Sequence, residues 1–125
     1  MIRTLVLLLL LIGIPVAAQA SDGLITLKSP HTVPQTADRL EKALRDKGMT
    51  IFSRIDHAAG ATRAGLPLRP TVLILFGNPK IGSKLMQCDQ KTAIDLPMKA
   101  LVYQDDSGTT WLSYNSPAWL ASRHN

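Results

Sequence analysis

Cysteine is almost missing from this chain: Cys88 is the only one in 125 residues. A single thiol forms no internal disulfide, so a hydrophobic core has to hold the fold, and Cys88 is either a buried small hydrophobe or a link between chains. The three histidines, His31, His57 and His124, are scattered, with no His-x-x-x-His and no cysteine pair, so no metal-ligand spacing is present. Met49, Met86 and Met98, as core filler or as soft copper ligands beside His57, are the remaining metal reading. Aromatics make up only 5% of the chain, and no basic stripe is interleaved with them, which excludes a nucleic-acid footprint. Neither Gly-x-Gly-x-x-Gly nor a Walker loop occurs, and no cofactor is implied. Repeats and low-complexity segments are also lacking.

What the chain does contain begins with a leader. Arg3 precedes an apolar run over residues 5–14, Pro15 breaks it, and Ala18-Gln19-Ala20 has the small-x-small pattern of a signal-peptidase site. The run is well short of the ~20 residues of a membrane span, so residues 1–20 read as a cleaved signal peptide rather than a stable membrane anchor. Cleavage after Ala20 implies a periplasmic or secreted protein whose residues 21–125 form a single domain. Without Arg3 the charges are 13 Lys and Arg against 9 Asp and Glu, a net charge of +4. The signs are mixed along the chain, which suits a soluble, modestly basic surface that favours anionic partners.

The element everything else is built around is the run Pro70-Thr71-Val72-Leu73-Ile74-Leu75-Phe76-Gly77-Asn78-Pro79, read as a buried central strand turning directly into a helix. Asn78 caps that helix and Pro79 occupies its first position. Ile81, Leu85 and Cys88 recur at i, i+4 and i+7, which assigns Cys88 to its buried face. Upstream, residues 24–28 read as a strand. Thr32 and Gln35 form a capping box for a helix with Val33, Ala37, Leu40 and Leu44 on its apolar face. Asp38/Lys42 and Glu41/Arg45 are expected ion pairs on its outer face, and Lys47-Gly48 its end. Residues 49–56 are a second strand, 57–64 a short helical segment and 89–96 a connection. Strands over 99–103 and 109–114 flank the turn Asp105-Asp106-Ser107-Gly108, and a last helix spans 118–123. Local hairpins with few crossovers predict an α+β two-layer sandwich, a mainly antiparallel sheet with helices packed on one face.

Five blocks carry a family resemblance: Ile55-Asp56-His57-Ala58-Ala59-Gly60-Ala61, Leu68-Arg69-Pro70-Thr71, Phe76-Gly77-Asn78-Pro79, Leu96-Pro97-Met98-Lys99-Ala100-Leu101-Val102 and Tyr114-Asn115-Ser116-Pro117. In this order, over residues 32–124, the chain resembles the domain of unknown function 302 family. The resemblance implies a two-layer α+β fold with an antiparallel sheet. That family carries no established activity, cofactor or catalytic residue, so none is transferred.

Three candidate surfaces follow from the residues. The Gly77-Asn78 turn, with Lys80 and Lys84 nearby, is a helix N-terminus suited to a small, anionic ligand, provided its backbone N–H groups are free. Asp56 and His57, at the end of the second strand, are a second ligand-binding candidate, with Asp56 as a helix cap the structural alternative. Trp111, Tyr114, Pro117 and Trp119 gather both tryptophans within nine residues and are the candidate interface of a protein-interaction or homodimerising module. Catalysis has the weakest support: Cys88, His57 and Asp56 supply residue types for thiol chemistry, but a thiol on an apolar helical face is inert. The expected function is non-enzymatic binding of a small ligand.

Overall fold

The computed structural model describes residues 22–124, so the leader read at residues 1–20 lies outside the described part. The order is β1 (Leu24–Ser29), α1 (Val33–Asp46), β2 (Thr50–Asp56), α2 (His57–Arg63), β3 (Thr71–Gly77), α3 (Pro79–Cys88), a 3-10 turn (Gln90–Asp95), β4 (Met98–Gln104), β5 (Thr110–Asn115) and α4 (Pro117–Arg123). The five strands form one sheet in the order β1-β5-β4-β3-β2, antiparallel at every pairing. This is the α+β architecture expected from the local hairpins. The connection expected over residues 89–96 contains the 3-10 turn, begun by Asp89, whose side chain accepts from the Lys91 N–H at 3.0 Å.

α1 forms where its sequence signals place it. Gln35 N–H donates to Thr32 Oγ1 at 3.3 Å and Thr32 N–H donates to Gln35 Oε1 at 3.2 Å, closing the capping box. Gly48, with φ +79°, ends the helix in the left-handed conformation that glycine adopts without steric cost. Its Val33 and Ala37 are buried against Val72, Ile74, Phe76, Ala100 and Val102 of the sheet, with Leu40, Leu44, Ile51, Met98 and Leu112 around them. Val72 pairs with Val102 and Ile74 with Ala100, so this cluster is one face of adjacent strands. Ser29 and Thr36 hydroxyls, 2.6 Å apart, join β1 to α1 on the same side.

The outer-face ion pairs differ in part from expectation. Arg45 meets Glu41 at 3.7 Å as expected, but Asp38 is held by Arg54 of β2 at 2.6 Å, and Lys42 turns to Asp46 at 2.6 Å. Arg54 lies on the α1 side of the sheet, paired across with Ile74, and a partner fixed on a strand competes well with a mobile lysine.

β3 is an interior strand, but β4 occupies the middle of the sheet. Only alternate residues of β3 are buried, Val72, Ile74 and Phe76, while Leu73 and Leu75 on the other face are half-buried. Cys88 is a correction: it is exposed, not buried. Ile81 and Leu85, at 56% and 48% exposure, share its stripe, because α3 packs chiefly on the 3-10 turn and offers this stripe to solvent.

Candidate functional site: an apolar cleft beside the third helix

The strand-to-helix turn after β3 opens onto a cleft of about 310 Å³, the lower end of the ~300–1,000 Å³ typical of small-molecule sites. Three elements wall it. α3 contributes Ile81, Gly82, Leu85 and Met86, the start of β2 brings Met49 and Phe52, and the entry to β4 brings Leu96, Pro97 and Met98. The Leu96–Pro97 peptide is cis. Phe52 reaches the cleft because β2 carries a bulge: the pairing with β3 slips between Ile51 and Ser53, leaving Phe52 as the extra residue. A bulge re-aims the side chain it carries. A Cβ on Gly77 would stand 3.5 Å from the Phe52 ring, an ordinary contact, so the ring packs over this end of β3 without requiring glycine there. A Cβ on Gly82 would stand 3.8 Å from Leu96, so this helical glycine leaves cleft space that a larger side chain would enter.

The donors at the start of α3 are already engaged. Lys80 N–H and Ile81 N–H donate to Asn78 Oδ1 at 3.0 and 3.4 Å, Gly82 N–H donates to the Asn78 carbonyl at 2.9 Å, and Pro79 has none. The condition set for an anion cradle at this turn, free backbone N–H groups, is therefore not met. Lys80 and Lys84 are exposed and do not line the cleft. What the turn builds instead is an apolar cavity.

Asp56 and His57 sit elsewhere. Thr50 pairs with Gly77 while Asp56 pairs with Val72, so five residues of β3, about 17 Å of strand, separate the two candidate sites. Asp56 Oδ1 accepts from Ala59 N–H at 2.9 Å, which is the capping role, and His57 is the exposed first residue of α2.

The C-terminal aromatic group is also divided. Trp111 pairs across with Tyr103 and Tyr114 with Ala100, and residues three apart on a strand point to opposite faces. Trp111 Nε1 donates to Asp105 Oδ2 at 2.8 Å. That bond, with those from the Thr109 and Ser107 N–H groups, holds the Asp105 carboxyl below the usual aspartate range. Trp119 packs against Gly23 at the other end of β1, with the Arg123 guanidinium 5.9 Å from its ring centre, and Pro117 is exposed at the start of α4.

A second cavity of about 470 Å³ adjoins the first and shares Leu85, Leu96 and Met98 with it. It adds Cys88, Leu120, Ala121 and His124, together with Asp95. His124 Nε2 is hydrogen-bonded to Asp95 Oδ2, and Arg123 reaches Asp95 Oδ1 at 3.1 Å. Among the described residues no hydrogen bond links Cys88 to His124, and no group of three His, Cys, Asp or Glu side chains could hold a metal ion.

Sequence reasoning missed the wall of the first cleft and the His124–Asp95 pair. The signal for the cleft was present in Met49, Met86 and Met98, all of which line it, without His57. Spacing alone does not bring residues that far apart in the chain together.

The fold and the cleft define a small two-layer α+β domain with an apolar cavity at one end of its antiparallel sheet. Residues 25–125 match the family described as "Domain of unknown function DUF302", and the chain belongs to it. A crystal structure of an uncharacterized conserved protein DUF302 from Bacillus stearothermophilus has the same fold, with a TM-score of 0.74 at 24% identity, covering 81% of this chain and 79% of that one. Fluoride-specific ion channel FluC 1 of Brucella suis is 48% identical over 111 residues, 89% of this chain and 44% of that protein. FluC 1 of Brucella abortus is 48% identical over 111 residues, 41% of its length. The chain thus spans less than half the length of the curated relatives it matches. No helix among the described residues is long and apolar enough to cross a membrane.

Proposed function

We propose that this domain is a non-catalytic binding module that takes a small apolar ligand into the cleft between α3, the β2 bulge and the Leu96–Met98 segment, and that it works outside the cytoplasm once residues 1–20 are removed. The observation that carries the reading is the composition of the cleft: Phe52, three methionines and Ile81, Leu85 and Leu96 converge on it, with Asn78 and Ser83 as its polar groups. Methionine-rich walls adapt to varied apolar shapes. The Brucella relatives support an accessory role, since a domain similar to this chain forms part of proteins named as fluoride-specific channels.

The test is fluorescence titration with the neutral probe N-phenyl-1-naphthylamine, comparing the native chain with Gly82→Leu. The leucine fills the cleft while replacing a glycine inside a helix, a change that favours the helix by ~1 kcal/mol. Saturable enhancement in the native chain, abolished in a folded Gly82→Leu variant, is expected. An unchanged titration in that variant overturns the reading.

A second reading, association of two copies, is favoured by the exposed Ile81–Leu85–Cys88 stripe of α3. Sedimentation of the reduced and oxidised chain tests it, and a monomer under both conditions removes it.

A further inference from the structure

α1 packs against β2, β3, β4 and β5, whereas α2 meets chiefly β3 and α3 chiefly the 3-10 turn. Among the described residues, then, one face of the sheet is covered by a helix and the other has none laid across it. Val72, Ile74, Ala100, Val102 and Leu112 point towards α1, so the residues that alternate with them point away from it. Those are Leu73, Leu75, Leu101, Tyr103 and Trp111, all half-buried, and they adjoin across the ladder. Leu73 pairs with Leu101, Tyr103 with Trp111, and the exposed Ile55 of β2 with Leu73.

A sheet face left to water is ordinarily polar. This one carries only two charged side chains at its strand positions, Lys28 and Lys99. Both stand at its rim: Lys28 belongs to the edge strand β1, and Lys99 turns its ammonium onto the Pro97 carbonyl, 3.1 Å away at the start of β4. Trp111 donates its indole N–H to Asp105 Oδ2 at 2.8 Å, so its polar atom is answered within its own chain. The ring can be covered without leaving a donor unpaired. Aromatic and aliphatic side chains at the centre with cations at the rim are the anatomy of an interface.

The occupant of this face has to be apolar at its own centre, because a charge placed there would be buried without a partner. A second copy of the same face meets that condition, and two antiparallel sheets stack ~10 Å apart with their side chains interdigitated. The area is sufficient. Five strands of six or seven residues cover a flat ~24 by ~20 Å, so two copies bury ~1,000 Å² before side-chain relief is added, the level a specific interface needs.

We infer that two copies of this chain associate through their uncovered sheet faces, with the α1 layers outermost. Leu73, Leu101, Tyr103 and Trp111 of each copy form the centre of the contact, and Lys28 and Lys99 its rim. The inference goes beyond the ligand reading and uses a surface other than the α3 stripe, so it stands or falls separately from both.

The experiment is sedimentation equilibrium of the full chain under reducing conditions, with variants checked for native circular dichroism. A dimer is expected at micromolar concentration. Leu73→Lys, which puts an ammonium at the centre of each face, should raise the dissociation constant at least ~30-fold, the effect of losing an interface hot spot. Ile55→Lys, at an exposed position away from the α1 core, should weaken the dimer in the same direction even if the Leu73 variant fails to fold. Cys88→Lys, on the α3 stripe, should leave the dimer intact. In Trp119→Phe, acrylamide quenching of Trp111 should fall as concentration rises through dimerisation. A monomer throughout, a dimer unaffected in the folded sheet variants, or a dimer whose Trp111 is quenched as freely as in the monomer overturns the inference. Loss of the dimer in Cys88→Lys with the sheet variants unaffected overturns it in favour of the α3 stripe.

Discussion

A methyl group on Gly23 would lie 2.2 Å from Trp119 Cγ, and the backbone there has φ +76°. Gly48 has a similar φ of +79° with nothing near its missing Cβ, so the two glycines separate backbone strain from crowding. Gly48→Ala should cost about 1–2 kcal/mol from the left-handed backbone alone. Gly23→Ala should lose roughly 1–3 kcal/mol beyond that by displacing the indole, with a red shift in tryptophan emission, both read from urea denaturation. Asp105 is the other residue whose surroundings decide its behaviour. Its carboxylate accepts from Trp111, Thr109 and Ser107, which favours the charged form and lowers its pKa. For a lowered pKa, the stabilisation is complete above the ordinary aspartate value near ~4 and is lost as pH falls through the lower folded value. The β4–β5 hairpin should therefore loosen only in strong acid. NMR titration should place Asp105 below the usual range in the native chain and nearer to it in Trp111→Phe, where the largest contributor is gone.

Among the elements, α3 combines a well-formed start with an open flank. Asn78 accepts from two N–H groups of its first turn. Asn78→Ala should destabilise the domain by about 1 kcal/mol in chemical denaturation, the usual value of an N-cap. Nothing comparable restrains the flank carrying Ile81, Leu85 and Cys88. The native chain should accordingly react with a thiol reagent at a rate close to that of the unfolded chain, and a slow, unfolding-limited reaction would contradict the exposure of Cys88. The β2 bulge is the other element-level device. It costs one ladder position and turns Phe52 towards Gly77, where the ring forms part of the cleft.

At the scale of the molecule, stability rests on one cluster between α1 and the sheet. Ile74 and Val102 are its largest fully buried side chains. Ile74→Ala should cost about 2–5 kcal/mol, a large share of the 5–15 kcal/mol available to a domain of this kind. Leu73→Ala, one residue away on the half-buried face, should cost less, and urea midpoints of the two variants compare them directly. Much of this was legible beforehand. The capping box at Thr32, the Asp105–Gly108 turn and the Asp56 cap all depend on neighbours within a few residues, and each formed; β3, expected as a buried strand, buries only alternate residues. The cleft was half legible: Gly77 and Asn78 border it, but the lysines singled out beside them do not.

The amino-acid sequence by itself determined the elements, their caps and the antiparallel α+β plan, because hydrogen-bond geometry and side-chain periodicity act over short stretches of chain. It also determined that Ile81, Leu85 and Cys88 share a side of α3. Only the tertiary structure decided that this side faces water, that Asp38 answers Arg54 rather than Lys42, and that Met49, Met86 and Met98 meet around Phe52. Periodicity states which residues look the same way. Whether anything packs against them depends on where distant strands and helices come to rest, and that is settled by the packing of the whole chain.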